Sequence, residues 1–210
     1  MLRKIKTFIR CLKNFFDTKK QRLKFFTYEA DRLCEEPIGM DGIEFICISD
    51  MESYKKTVPK QASAAEEKTL SERFNRGSKY CALLQEDECL SDGWVAYQEP
   101  FWISEVDTVV DMKDSSCAIL YDFFTLPHHR GKGYYPRLLK NIVSHFDKPE
   151  SFMIYIKQEN TASERGIIKA QFKYEQTCNI NSIDEYLSKK NFKTKGRRLS
   201  LLGFRYNSKL

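Results

Sequence analysis

The chain has 210 residues, 41% apolar and 13% aromatic, enough for one domain with a well-buried core and a short appendage. Its net charge of +6 is gathered at one end, because residues 1–26 hold nine Lys or Arg against one acid, Asp17. Taken from totals of 35 and 29, these leave 26 basic and 28 acidic residues in the rest of the chain, so the body is not a basic nucleic-acid binder and no nucleic-acid partner is expected.

In chain order, Leu2, Ile5, Phe8, Ile9, Leu12, Phe15 and Phe16 fall at spacings of three and four among basic residues, which predicts an amphipathic basic helix followed by a linker to residue 33. The remainder, 34–210, is expected to form the main domain. Residues 43–48 read as a first core strand. Ser63 and Glu66 form a capping-box pattern that opens a helix carrying Leu70 and Phe74, ended by Gly77. Strand periods then run over 80–84, 94–97, 101–110 and 118–126, separated by acidic or glycine-containing turns, as in an antiparallel meander. Beyond Pro127, helices at 134–146 and 161–170 alternate with strands at 152–156 and 172–180. Ser182 to Glu185 is a second capping-box pattern, and 199–206 reads as a closing strand. The pattern predicts a single α/β (α+β) domain with a mixed, mostly antiparallel sheet.

Seven cysteines, an odd number without a CxxC pair, fit reduced thiols in a cytoplasmic protein better than disulfides or a zinc site. No apolar run of about 18 residues predicts a membrane span, and charges recurring through Lys13 disfavour a signal peptide.

The informative run is residues 125–134. A strand ends, a turn with Gly131 and Gly133 follows, and a helix begins at Tyr134. Two glycines one residue apart let backbone N–H groups converge without Cβ obstruction, and the helix dipole adds to the attraction for anions. The product is a nest suited to a pyrophosphate, with Arg130 and Lys132 adding charge. The run lacks the GKS/GKT ending of a nucleoside-triphosphate loop and the full GxGxxG of a dinucleotide fold.

Pro127, Arg130, Gly131 and Gly133 resemble the acyl-CoA loop of the GNAT acetyltransferase superfamily, with His128 where Arg or Gln is usual. Asn160, Ser163 and Phe172 fit the register of a second family segment. Two departures stand out: Gln171 replaces the Gly before Phe172, and Ile167 replaces the Tyr that often serves as general acid.

The resemblance implies a GNAT-like twisted sheet flanked by helices, with a splayed strand pair that admits CoA, and an N-acyltransferase using acetyl-CoA or another short acyl-CoA as co-substrate, with no metal. It implies a cofactor site of Phe124, Thr125, Leu126, His128, Arg130, Gly131, Lys132, Gly133, Tyr134, Asn160 and Ser163. A primary amine, on a small molecule or glycan, would attack the thioester directly, with a carboxylate to deprotonate it. Glu105, expected near the centre of the sheet, is the first candidate base and Asp122 the second. Tyr121, Tyr134, Tyr135, Tyr155 and Tyr174 are candidate replacement donors. His128 and His129 lack a third metal ligand at helical spacing and read as loop surface.

The acceptor remains open between an amino sugar of a surface polysaccharide or its precursor and a protein or peptide amine, and a catalytically silent CoA-binding domain is the non-enzymatic alternative. Residues 1–26 either dock on the anionic inner face of the membrane or pack on the domain or on a second subunit of a homodimer.

Overall fold

The computed structural model describes residues 21–30, 42–58, 63–106 and 108–197. The expected helix over residues 2–16 and the strand over 199–206 lie outside them. Among the described residues no helix is long and apolar enough to cross a membrane.

The elements in order are β1 (Leu23–Glu29), β2 (Glu44–Ile48), α1 (Met51–Thr57), α2 (Ala64–Asn75), β3 (Lys79–Gln85), β4 (Glu88–Ala96), β5 (Phe101–Ile103), β6 (Thr108–Asp111), β7 (Cys117–Thr125), α3 (Tyr134–His145), β8 (Ser151–Lys157), α4 (Thr161–Lys169), β9 (Lys173–Cys178), α5 (Ile183–Lys189) and β10 (Lys193–Arg197). Seven strands form one sheet in the order β2-β3-β4-β7-β8-β1-β9, and β10-β6-β5 form a second. In the large sheet every pairing is antiparallel except β7 with β8. The mixed, mostly antiparallel architecture expected from the sequence is therefore present.

Each helix covers an apolar face. Leu138, Leu139, Ile142 and Val143 of α3 and Ile167 of α4 pack with Cys81, Leu83, Val95 and Leu120 on one side of the sheet. On the other side Phe74 of α2 packs with Tyr80, Ala82 and Trp94. Ile183 and Leu187 of α5 close the rest of that side with the second sheet, against Phe25, Ile119 and Met153.

Three expectations need correction. Residues 23–29, assigned to a helix and linker, form β1 between β8 and β9 of the large sheet. Leu23 and Phe25 fill one core and Phe26 and Tyr28 the other, across a register shift between Phe25 and Phe26. The run 101–110 is not one strand. A 3₁₀ turn over Ser104–Val106 folds β5 back on β6 in the small sheet. The second capping box does not form: Ser182 Oγ instead accepts the N–H of Asn179 at 3.0 Å.

Candidate functional site

The site is built where β7 leaves β8. Their parallel ladder runs from Cys117 opposite Ser151 to Leu120 opposite Ile154 and ends there. The next residues of β7 contain a β-bulge, for Trp94 of β4 faces Tyr121 while Asp92 faces Phe124. Asp122 and Phe123 together therefore oppose the single residue Gly93. Asp122 takes a left-handed φ of 53°, and the Phe123 ring lies over Gly93 so closely that a Cβ there would stand 2.2 Å from it. A bulge bends its strand and increases local twist. Here it coincides with the end of the β7–β8 ladder and splays residues 121–125 away from β8.

The splayed strand feeds the double-glycine turn. Pro127–His129 form a 3₁₀ turn, and Gly131 and Gly133 take left-handed φ values of 81° and 85°. A Cβ added at either glycine meets nothing within 4 Å, so the concavity above them is open. Gly133 caps α3 without a side chain, and no acid stands in the helix's first turn. First-turn N–H groups have no partner within their own helix, so the positive end of α3 faces this opening. Arg130 Nε donates to the Thr125 carbonyl at 3.1 Å and its guanidinium lies 5.8 Å from the exposed Phe124 ring. Ser91 Oγ donates to the Phe124 carbonyl at 3.1 Å and lies 2.9 Å from Thr125 Oγ1. The Leu126 carbonyl accepts the N–H of His129 at 2.9 Å. The Tyr134 ring stands edge-on to His129.

Phe124, Thr125, Leu126, His128, Arg130, Gly131, Lys132, Gly133 and Tyr134 are thus brought together on one strand–loop–helix unit. Asn160 and Ser163 lie at the start of α4, where Asn160 Oδ1 accepts the Ser163 N–H at 3.2 Å as an N-cap. Gly166 allows α4 to approach α3, since a Cβ there would meet the Tyr135 ring at 2.4 Å. Ile167, at the position of the family tyrosine, is fully buried and has no proton to give.

The first candidate base is not placed where the sequence pattern suggests. Glu105 is not at the centre of the large sheet but in the 3₁₀ turn, accepting a hydrogen bond from its neighbour Ser104 at 3.0 Å. The apolar flanks that suggested a central strand belong to the short β5–β6 hairpin. Asp122 points to solvent from the bulge, its side chain 60% exposed, and is ion-paired with Arg73 of α2. That guanidinium also lies over the Trp94 and Tyr121 rings, at 5.0 and 5.3 Å.

A carboxylate that the sequence reading passed over lies one residue before Gly93. Asp92, opposite Phe124 of the splayed strand, accepts hydrogen bonds at Oδ2 from Tyr80 at 3.1 Å and Cys89 at 3.7 Å. Burial pushes its carboxyl up to about 6, with the Asp122 charge adding to the rise and those two hydrogen bonds and Arg73 opposing it. A carboxyl poised in that range can exchange protons near neutrality. Leu90-Ser91-Asp92-Gly93 resembles a turn in sequence, and only the pairing of β4 from Glu88 onward shows it as strand.

Of the candidate tyrosines, Tyr121 sits where the ladder ends and donates to Ser78 Oγ at 3.0 Å, and burial raises its phenol above the usual range. Tyr135 and Tyr155 are raised by burial as well. Tyr174 is exposed on β9, its hydroxyl 2.9 Å from Thr177. The two loop histidines, which have no third ligand at helical spacing, lie beside a potential one from elsewhere in the chain: Glu88, the first residue of β4.

No protein-family model and no curated protein matches the chain. Among solved structures, a functionally unknown conserved protein from Staphylococcus epidermidis is similar at 8% identity and TM-score 0.47, over 75% of this chain and 59% of that one. A putative GNAT-family acetyltransferase from Novosphingobium aromaticivorans is similar at 13% identity and TM-score 0.46, over 75% and 61%. A GNAT-family acetyltransferase from Colwellia psychrerythraea gives 13% and 0.45, over 76% and 56%. The chain therefore spans less than two thirds of the length of each. In its own topology the chain is a mixed sheet in which, among the described residues, the one parallel pair ends at a bulge before a glycine turn and helix.

Proposed function

We propose that the chain is an acyl-CoA-dependent N-acyltransferase, with an acetyl or other short acyl donor and a primary amine acceptor. The observation that carries this reading is the junction of the bulge at Asp122 and Phe123, the end of the ladder at Leu120, and the basic glycine turn that opens α3. The pantetheine arm would lie along the splayed backbone of residues 123–126 and the pyrophosphate over Gly131 and Gly133, near Arg130 and Lys132. Oriented N–H groups and a helix N-terminus favour such an anion without a dedicated side chain for each oxygen.

Asp92 takes the role of base in this reading. An alkylammonium has a pKa of about 10, so a proton must leave before the nitrogen lone pair can attack the thioester carbonyl. Asp92 accepts it, directly or through one water. The tetrahedral adduct then collapses, the carbon–sulfur bond breaks, and CoA leaves as a thiolate that takes up the second proton from the former amine nitrogen, so that a neutral amide and CoA thiol result. A thiol pKa of about 8.5 makes that departure feasible without an acid, which suits the loss of the family tyrosine at Ile167. The amino-sugar acceptor stands first among the amines to test, and peptide amines second.

The test is CoA thiol release from acetyl-CoA by the full-length protein, with amino-sugar nucleotides, polyamines and peptides as acceptors. Amine-dependent release supports the enzyme. Tight acetyl-CoA binding without release across the whole panel overturns it in favour of a silent CoA-binding domain.

A further inference from the structure

Among the described residues, the acyl-transfer reading leaves unused one cluster of side chains of metal-ligating type. His128 Nε2 lies 2.8 Å from Oε1 of Glu88, and His129 Nε2 lies 2.8 Å from Oε2 of the same carboxylate. All three groups place a ligand atom within 4.8 Å of the others. Consecutive side chains on a strand point to opposite faces. Here the 3₁₀ turn Pro127–His129 brings both rings to one side, with centroids 4.2 Å apart. The cluster joins segments forty residues apart, and exposure falls from 61% at His128 to 11% at His129, so an ion could enter from solvent and end partly enclosed.

Two imidazoles and one carboxylate are a ligand set that holds zinc with a fourth position open, at bonds of about 2.0–2.2 Å. Tetrahedral ligands at such lengths stand on the order of 3.4 Å apart, so the cluster needs only a small opening to admit an ion. We infer that Glu88, His128 and His129 bind one divalent transition-metal ion of the Zn²⁺ or Co²⁺ class. The ion would replace the shared hydrogens and tie the start of β4 to the loop before α3. This site stands on its three ligands and does not depend on acyl transfer.

One neighbour opposes the ion and gives the site a signature. Lys132 Nζ lies 3.4 Å from Nδ1 of His129. Metal on Nε2 requires the neutral tautomer with its proton on Nδ1, which the ammonium cannot also occupy as a donor. Lys132 must therefore turn away when the ion binds, and its removal should strengthen binding.

The experiment is titration of the full-length reduced protein with Co²⁺, followed by visible absorption, and with Zn²⁺ by calorimetry in a non-chelating buffer. One equivalent should bind. His128→Ala, at an exposed position that the fold does not need, and Glu88→Gln should each weaken binding at least about tenfold, while Lys132→Met strengthens it. Circular dichroism checks that each variant is folded. Absence of binding, affinity in His128→Ala and Glu88→Gln unchanged from the parent protein, or thiolate-to-cobalt charge-transfer bands showing the ion on cysteine would each overturn the site.

Discussion

Tyr80 donates its phenol hydrogen to Asp92 Oδ2 at 3.1 Å, in a pocket where burial disfavours the ionised form of both groups. If this carboxylate is the base, Asp92→Asn should lower kcat by a factor on the order of a hundred with little change in acetyl-CoA binding. Glu105→Gln, altering a turn of the small sheet, should leave kcat nearly unchanged. Steady-state kinetics of the two variants with the same amine decide the assignment, and a crippled Glu105→Gln beside a mild Asp92→Asn would reverse it.

The same carboxyl predicts opposed effects of pH on activity and on stability. Its pKa rises from 3.8 to about 6 on folding, so between those values the native state holds more protons than the unfolded chain and stability falls as pH rises. Above about 6 the whole cost is present, on the order of 3 kcal/mol. Asp92→Asn should therefore gain stability over the parent as pH rises through this window, measured by urea unfolding at several pH values. Activity runs the other way, because the base must be ionised, and kcat/KM should rise to a plateau with a limb near 6 that the variant lacks.

The sequence disclosed the loop because its chemistry is local: Gly131 and Gly133 adopt the left-handed φ their identity permits, and Tyr134 opens the helix predicted there. Helices α2, α3 and α4 were legible from apolar spacing and from the Ser63 capping box, which forms as expected. Strand β1 was hidden by its basic neighbours and by the register shift after Phe25, which moves successive apolar residues to opposite cores and breaks the period of two. The raised carboxyl of Asp92 was not legible because proton affinity depends on burial. Asp92 resembles a turn residue beside Gly93 until β3 and β7 flank it, whereas Glu105 carries apolar neighbours yet sits in a turn.

The glycine turn offers a direct test of donor binding. Gly131→Ala adds a methyl into open space but strains a residue with φ of 81°, a cost of about 1–2 kcal/mol. Gly131→Glu adds the same strain and also a carboxylate where the pyrophosphate would lie. Acetyl-CoA affinity by calorimetry should fall modestly in the first and by orders of magnitude in the second. Equal losses would make the effect one of backbone strain and remove the anion site from the loop.

The bulge itself can be tested at the residue it lies against. Gly93→Ala puts a Cβ 2.2 Å from the Phe123 ring, and the ring must shift, although it also packs against Tyr135 at 5.4 Å. Overpacking of this kind costs about 1–3 kcal/mol. Because the same residues set the splay of β7, the variant should lose acetyl-CoA affinity as well as stability. Adding Phe123→Leu makes room and should restore part of both, whereas Phe123→Leu alone should be mildly destabilising. Thermal unfolding and CoA calorimetry on the three variants give a double-mutant cycle. Strong non-additivity in both measurements ties the splay to Gly93 and Phe123, and additive losses would place its cause elsewhere in β7.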